Sequence, residues 1–210
     1  MIRHRTALML GGTALAGAAL VGAYVVRSRR NPSACPYGQS VVLAVPRPFF
    51  TRARLRDILA PSPGERVLEV GPGRGYYALD AARWLLPGGT LDLLDLQPDM
   101  LNVTMRRATE QIISNIVPTH GDAQALPYAD GAFDAAYLVA TLGEAPDTDA
   151  VLHELRRVLK PGGRLVVGEG VPDPHMVPFA TLRARAEAAG LRFERRLGRN
   201  LGYFASFRVW

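Results

Sequence analysis

The sequence has a single cysteine, Cys35, among its 210 residues. One thiol cannot form a disulfide within the chain, and it cannot build a cluster of cysteine ligands around a metal ion. We therefore expect neither an internal disulfide nor a metal site. A lipid-modified cysteine would need a small apolar run directly before it, and the preceding Asn31–Ala34 instead follows an arginine cluster. Cys35 is therefore interpreted as an ordinary linker residue.

Acidic side chains are absent from the first 30 residues, which hold five arginines: Arg3, Arg5, Arg27, Arg29 and Arg30. The whole chain has 25 basic and 19 acidic residues and a net charge of +6, so residues 31–210 carry 20 basic against 19 acidic side chains. A nearly neutral domain lacks the positive surface that a phosphate backbone requires. We therefore expect no nucleic-acid partner.

Charge is also absent from Leu8–Val26, a run of 19 residues between arginines. As a helix this run would rise about 28 Å, close to the hydrocarbon thickness of a bilayer. A cleaved signal peptide would have a shorter apolar core, although Val21–Ala23 resembles a weak cleavage site. We predict a transmembrane helix at 8–26 and a membrane anchor over 1–30. Arginines on both sides leave its orientation open.

Short apolar runs follow three Pro-Gly turn signals, which is typical of β-strands. The turns are Pro63-Gly64, Pro87-Gly88-Gly89 and Pro161-Gly162-Gly163, and the strands predicted after them are Arg66–Val70, Thr90–Leu96 and Arg164–Glu169. Stretches with helical spacing lie between these runs. Strands that alternate with helices indicate parallel β-α-β units, with helices on both faces of an open sheet.

Local signals place the helices. We predict one helix over Thr51–Leu59 and a second that begins at Gln97-Pro98-Asp99. A third is capped by Thr148 and has Arg156, Arg157 and Lys160 in its last turn. A fourth covers about Pro178–Ala189 and ends at Gly190. Two final strands, Leu191–Leu197 and Leu201–Val209, read as an antiparallel hairpin. We predict a doubly wound, mostly parallel seven-stranded α/β sheet over 61–210. A Pro-rich linker and a covering helix over 31–60 precede it.

The first predicted strand runs directly into a glycine-rich turn. Gly71, Gly73 and Gly75 would let the backbone approach a ligand closely at the carboxyl end of the strand. Asp95 ends the next strand, where it can accept hydrogen bonds from ribose hydroxyls. Asp122 ends the third, where it can accept from an adenine amino group. Three neighbouring strand ends therefore each supply a polar contact for a nucleoside-containing ligand.

The glycine spacing distinguishes between two cofactors. A dinucleotide fingerprint needs a third glycine at position 76, where this chain has Tyr76. Glu69 within the motif is also out of place for a nicotinamide cofactor, but it suits a ligand with a charged amino-acid end.

Four motifs in this order resemble those of class I S-adenosylmethionine-dependent methyltransferases. They are Glu69–Gly75, Asp95–Met100, Gly121–Pro127 with Phe133-Asp134, and Leu155–Gly163. The resemblance covers about residues 50–210. It is looser at the level of subfamily, where the chain is similar to quinone-biosynthesis methyltransferases that act on small or lipid-like acceptors. S-adenosylmethionine is the cofactor that the resemblance implies.

The resemblance also implies residue roles. Glu69, Gly71, Gly73 and Gly75 would hold the methionine moiety, Asp95 the ribose, Leu96 and Gln97 the faces of the adenine, and Asp122 and Ala123 its edge. Each position has a plainer interpretation as well. Gly73 and Gly75 could be simple turn residues, and Asp122 could be a helix N-cap.

The acceptor side has weaker signals. Glu144 after the fourth strand, Glu169 after the fifth and His175 in the following loop could act as general bases, and Tyr76 and Tyr77 face the cofactor turn. Methyl transfer from a sulfonium depends mostly on proximity and alignment. We therefore favour solvated or packing roles for these side chains, and keep Glu144 and His175 as the catalytic candidates.

These inferences predict methyl transfer from S-adenosylmethionine to a small, lipid-like acceptor at a membrane surface. Because S-adenosylmethionine is cytoplasmic, we expect the catalytic domain to face the cytoplasm. One rival is a cofactor-binding or scaffold protein without transfer activity. Another is an NAD-dependent oxidoreductase, which Tyr76 disfavours. The sequence leaves the oligomeric state open.

Overall fold

A computed structural model of the chain describes residues 26–27, 32–36, 38 and 50–210. The transmembrane helix predicted at 8–26 lies outside these residues, apart from Val26. Across the described ranges, no helix is both long enough and apolar enough to cross a bilayer.

Five helices and seven strands alternate along residues 52–209. In chain order they are α1 Arg52–Leu59, β1 Arg66–Val70, α2 Ala78–Trp84, β2 Thr90–Asp95, α3 Pro98–Glu110, β3 Ile116–His120, β4 Phe133–Val139, α4 Thr148–Val158, β5 Leu159–Gly170, α5 Phe179–Ala188, β6 Leu191–Arg199 and β7 Gly202–Val209. A 3₁₀ turn at Leu142–Glu144 follows β4.

The strands form one sheet in the order β3-β2-β1-β4-β5-β7-β6. The pairs from β3 to β5 are all parallel, and β7 is antiparallel to both of its neighbours. This confirms the predicted mostly parallel seven-stranded α/β sheet with an antiparallel hairpin at its end. The strand order reverses between β1 and β4, and ligands in open α/β sheets bind outside the carboxyl ends of the strands at such a point.

Both faces of the sheet are covered, as continuous apolar strands require. Leu68 and Val70 of β1 point into one hydrophobic core, which includes apolar side chains of α4 and α5. Val67 points into the other, which includes side chains of α1, α2 and α3. Since successive side chains of a strand alternate between faces, β1 anchors both layers.

The start of α4 differs from the prediction. Asp147, not Thr148, is the N-cap, and its carboxylate accepts hydrogen bonds from the backbone N–H groups of Asp149 and Ala150. Thr148 is the first helical residue and is buried. Asp147 wins because its carboxylate reaches two of the unpaired N–H groups that a helix start leaves. Lys160 lies beyond the helix and pairs with Asp134 at 2.6 Å.

Several strand bounds also differ: β5 ends at Gly170 instead of Glu169, β6 ends at Arg199 instead of Leu197, and β7 begins at Gly202 instead of Leu201. The strand predicted at Thr90–Leu96 ends at Asp95, and β5 begins at Leu159, five residues before the predicted Arg164. The β4–β5 register shifts from Phe133↔Leu159 to Ala135↔Arg164. The Pro-Gly-Gly turn therefore persists as an irregularity inside the strand, with Gly162 at a φ of 77°. The Pro-Gly-Gly sequence does mark a backbone irregularity, but β5 begins to pair with β4 before it.

The covering helix α1 is confirmed, with Thr51 as its N-cap. The preceding Phe50 is 1% exposed. Its ring meets that of Phe204 edge to face at 5.6 Å. A Cβ atom on Gly170 would come within 2.5 Å of the Phe50 ring and within 2.7 Å of the Gly202 Cα atom. The missing side chain at Gly170 therefore lets Phe50 fix the start of α1 against the end of β5.

This contact predicts the effect of Gly170→Ala. Overpacking a filled core costs about 1–3 kcal/mol, and we expect a loss of that size in the free energy of unfolding from denaturant titration. In a Phe50→Ala background the same substitution should cost less, since only the Gly202 backbone then opposes the new methyl group. An equal cost in both backgrounds would show that Phe50 does not occupy this position.

Candidate functional site

A cavity of about 420 Å³ opens at the carboxyl ends of β1, β2 and β4. The predicted site residues that line it are Glu69, Gly71, Gly73, Asp95, Leu96, Gln97, Asp122, Ala123 and Glu144. Gly75 and His175 are not part of its lining. The fold thus brings together residues that lie up to 75 positions apart in the sequence.

The glycine turn after β1 forms one wall of the cavity. Gly71, Gly73 and Gly75 have φ angles of 69°, 54° and 75°, in the left-handed region that favours glycine. A Cβ atom on Gly71 would come within 2.5 Å of the Thr141 side chain, and one on Gly75 within 2.7 Å of the Thr104 side chain. Gly75 therefore serves close packing against α3, whereas Gly71 and Gly73 expose backbone to the cavity.

Helix α3 holds this turn from behind. The Thr104 hydroxyl donates to the Gly73 carbonyl at 3.0 Å, and the Arg107 guanidinium donates to the Arg74 carbonyl. Arg107 and Arg74 also line the cavity. These supports did not follow from the sequence, because no local pattern connects the turn with residues about 30 positions further on.

Glu69 is a carboxyl group inside the protein. Its side chain is 3% exposed and accepts a hydrogen bond of 2.7 Å from the Tyr137 hydroxyl. The pKa of Glu69 is raised to about 8. Burial is the main cause of the rise and the nearby Asp95 carboxylate adds to it, while the Tyr137 hydrogen bond opposes it. A buried acid on the cavity wall is poised to ionise when a cation binds beside it.

Asp95 stands beside Glu69 at the end of β2 and is 7% exposed. Its carboxylate accepts from the backbone N–H of Gln97 at 2.9 Å. Burial raises the pKa of Asp95, and hydrogen bonds from the backbone N–H groups of Gln97, Gly73 and Leu96 oppose the rise. One carboxylate therefore links the glycine turn of β1 to the turn that starts α3.

Asp122 lies at the exposed rim of the cavity. Its oxygens accept from the backbone N–H of Gln124 at 2.9 Å and from the Gln124 side-chain amide at 2.9 and 3.2 Å. No helix begins at Asp122 in the described part of the chain, so the N-cap interpretation does not apply. Ala123 follows on the same wall.

Residues before α1 and at its start also line the cavity. The Gln97 side-chain amide donates to the Cys35 carbonyl at 2.9 Å, and both residues contribute to the wall. On the other side, the Tyr77 hydroxyl donates to the Phe50 carbonyl at 2.7 Å. The guanidinium of Arg52 lies 4.3 Å from the centre of the Tyr76 ring. The linker and the start of α1 are therefore parts of the site.

The acceptor candidates are placed unequally. Glu144 ends the 3₁₀ turn after β4 and lines the cavity, half-buried. His175 lies behind this turn, and its carbonyl oxygen is so close to Gly143 that a Cβ atom there would approach to 1.9 Å. The His175 Nδ1 atom is buried without a hydrogen-bond partner in the described structure. Of the two candidates, only Glu144 reaches the cavity.

Glu169 lies within β5, not after it, and it is fully buried away from the cavity lining. Its carboxyl group accepts from the Val177 N–H at 3.1 Å, and the Tyr203 hydroxyl donates to the Val177 carbonyl at 2.6 Å. Burial and the nearby Asp173 and Glu144 carboxylates raise the pKa of Glu169 well above its usual range. Glu169 therefore holds the β5–α5 loop in place through its hydrogen bond to Val177.

Comparison with known proteins identifies relatives. Residues 43–180 match the model of the ubiE/COQ5 methyltransferase family. The chain is 38% identical over 113 residues to the ubiquinone/menaquinone biosynthesis C-methyltransferase UbiE of Cellvibrio japonicus, covering 53% of this chain and 45% of that protein. It is 32% identical over 127 residues to the nocamycin O-methyltransferase of Saccharothrix syringae, covering 60% and 45%. The chain thus spans about half the length of the curated relatives it matches.

Solved structures share the fold. A S-adenosylmethionine-dependent methyltransferase from Aquifex aeolicus superposes with a TM-score of 0.77 at 20% identity, covering 84% of this chain and all of that one. The [4+2]-cyclase SpnF superposes with a TM-score of 0.67 at 21% identity, covering 75% and 79%. At such identities the likeness shows the fold alone, and the second neighbour is named for a different reaction.

The family model covers well over half of the residues, including the glycine turn, Asp95, Asp122 and Glu144. The same four features meet at one cavity. The chain belongs to the ubiE/COQ5 methyltransferase family.

Proposed function

We propose that the protein transfers a methyl group from S-adenosylmethionine to a small, lipid-like acceptor at a membrane surface. The observation that carries the transfer is the convergence of Glu69, Asp95 and the glycine turn on one cavity, in a chain of a methyltransferase family. Since the chain spans about half of its curated relatives, both the reaction and the acceptor remain proposals.

The cavity residues fit the proposed cofactor. Gly71 and Gly73 would pass along the methionine moiety, and the Glu69 carboxylate would pair with its ammonium group. Asp95 would accept from the ribose hydroxyls. Supporting this assignment, Glu69 and Asp95 are two buried carboxyl groups on adjacent strands, and a cationic ligand would favour the ionised form of both.

The remaining assignments concern the adenine. Leu96 and Gln97 would flank the ring, and Asp122 and Ala123 would meet its edge. Gln97 is held by the Cys35 carbonyl, and Asp122 is held by Gln124. Both side chains are therefore already oriented before a ligand arrives, which lowers the entropic cost of binding.

When bound, S-adenosylmethionine would supply an electrophilic methyl group carried on a sulfonium, and the sulfur would leave as a neutral thioether when the acceptor bonds to the methyl carbon. The chain's own contribution is to align the acceptor and to exclude water. Leu142, Ala145 and Val151 give the acceptor side of the cavity an apolar wall. Glu144 stands on this wall, where it could take the proton that the methylated acceptor loses.

The acceptor class follows from this wall and from the relatives. An apolar surface suits a ring or chain with few polar groups. Two curated relatives are named for quinone biosynthesis and for O-methylation of nocamycin. A quinone-like, membrane-soluble acceptor fits both the wall and the predicted anchor at 8–26. The anchor would raise the local concentration of such an acceptor, with the domain on the cytoplasmic side.

A second candidate function is cofactor binding without methyl transfer. One support is that His175, one of the two catalytic candidates, does not line the cavity. The other is that a [4+2]-cyclase shares the fold. Release of labelled S-adenosylhomocysteine in the presence of a quinol acceptor decides between the two. The NAD-dependent interpretation has no support from the family match.

The ribose assignment predicts the effect of Asp95→Asn on binding of S-adenosylhomocysteine. A charged hydrogen bond contributes about 1.5–3 kcal/mol, so affinity should fall by roughly one to two decades in calorimetry. Asp99→Ala is the matched control, because Asp99 is an exposed acid four residues on that does not line the cavity. Equal affinities in the two variants would remove Asp95 from the site.

The buried Glu69 predicts a pH dependence. Its pKa is about 8 in the free protein, and a bound ammonium group would favour the carboxylate, so binding expels a proton. The affinity for S-adenosylhomocysteine should therefore rise with pH, approaching about tenfold per unit below pH 8 and then levelling off. Glu69→Gln should flatten this profile and weaken binding at high pH.

The stability of the free protein should change in the opposite sense. The folded chain keeps the Glu69 proton to about pH 8, whereas the unfolded chain releases it near the ordinary value of 4.5. Stability therefore falls as pH rises between these values, and Glu69→Gln should remove that part of the fall. A binding profile that is identical in both proteins would show that Glu69 does not face the ammonium group.

Glu144→Gln and His175→Ala separate base catalysis from alignment. We expect Glu144→Gln to lower kcat by less than about 100-fold, the low end for loss of a general base, and His175→Ala to have a smaller effect. Cofactor affinity serves as the control, since neither residue belongs to the proposed cofactor contacts. A thousandfold loss of kcat with unchanged affinity would make that residue the base.

A further inference from the structure

Two exposed aliphatic side chains lie together at the end of the β5–β7 ladder. Val171 is 42% exposed and Leu201 is 60% exposed. The backbone N–H of Val171 donates to the Leu201 carbonyl at 3.0 Å, so the two residues are neighbours. Together with Arg199, the last residue of β6, they form a surface that we call the hairpin tip.

The hairpin tip lies at the same edge of the sheet as the cavity. Gly170, the last residue of β5, pairs with Gly202, the first residue of β7. The turn before Gly202 therefore lies at the carboxyl edge of the parallel strands, where the cavity opens. Phe50 joins the two features, because its ring packs against Gly170 and also lines the cavity.

The β6–β7 hairpin end is rich in arginine. Residues 195–202 include three arginines and no acid. Arg195 pairs with Asp57, and the Arg196 guanidinium lies over the rings of Phe179 and Tyr203 at 4.4 and 5.0 Å. Arg199, at the end of β6, is exposed. The surface therefore offers exposed aliphatic groups next to positive charge, the combination by which proteins bind anionic lipid surfaces.

Exposed aliphatic groups alone do not select this edge. Leu86 and Ile112, which precede β2 and β3, are 50% and 93% exposed at the opposite edge of the sheet. The difference lies in the cavity, which opens at the carboxyl ends of the strands, the edge that also carries Val171 and Leu201.

We propose that the hairpin tip docks on the anionic leaflet of the membrane that holds the anchor, so that the cavity mouth faces the bilayer. This inference rests on the proposed membrane-anchored function. Val171 and Leu201 would enter the interface, while Arg199 would meet lipid phosphates. A lipid-soluble acceptor could then pass from the bilayer to the cavity without crossing bulk water.

The test uses the full chain reconstituted into phosphatidylcholine vesicles that contain phosphatidylglycerol. In a Cys35→Ser background, an environment-sensitive fluorophore is attached to Leu201→Cys or, as the matched control, to Ile112→Cys. Both positions are exposed aliphatic residues in turns, one at each edge of the sheet. We expect brominated lipids to quench the label at position 201 and to leave the label at position 112 unquenched.

Charge reversal tests the lipid contribution. Arg199→Glu should weaken quenching of the label at position 201, and the loss should disappear in vesicles without phosphatidylglycerol. Arg192→Glu is the matched control, since Arg192 is exposed near the other end of β6. Equal effects of the two reversals would contradict a specific role for Arg199.

The outcomes separate the two proposals. Failure of the full chain to float with vesicles would overturn both the anchor and the docking. If the chain floats and binds S-adenosylhomocysteine but the label at position 201 is quenched no more than that at 112, the docking is wrong and the proposed function stands. If the chain floats with position 201 selectively quenched but binds no S-adenosylhomocysteine, the docking stands as a surface property and the proposed function is wrong.

Discussion

The close approach of backbone to side chain at Gly71 and Gly75 determines where this protein can have a cavity. Thr141 from the loop after β4 and Thr104 from α3 fill the space that a Cβ atom would occupy at these two glycines. The turn after β1 is thereby pressed between two neighbouring elements, with its backbone toward the strand ends. A side chain at either position would push the turn away from Thr141 or Thr104 and change the wall of the cavity.

That pair of carboxyl groups sets the electrostatics of the site. Glu69 and Asp95 lie on adjacent parallel strands, both are nearly inaccessible, and burial raises the pKa of both. Two neighbouring buried carboxyl groups favour either a retained proton or a bound cation beside them. A ligand with a positively charged amino-acid end satisfies this requirement, whereas the pyrophosphate of a dinucleotide would add to the repulsion.

Short-range patterns predicted the parts of the structure that depend on neighbours in sequence. The strand ends, the glycine turn and the Pro98 helix start all follow from residues within about four positions of one another. The supports that follow from tertiary contacts were missed: Thr104 and Arg107 behind the turn, and Phe50 beside Gly170. The sequence pattern could place Asp95 at a strand end, but not the linker carbonyl of Cys35 against Gln97.

The same division separates the cofactor side from the acceptor side. The proposed cofactor contacts come from strand ends, whose positions are fixed by the sheet register. The proposed acceptor side is formed by the 3₁₀ turn and the first turn of α4. The β5–α5 loop packs behind the 3₁₀ turn, and Glu169 and Tyr203 hold this loop through both polar backbone groups of Val177. Loops change more readily than strands. Under the proposed function, a change of acceptor therefore requires changes around the 3₁₀ turn and none at the strand ends that would hold the cofactor.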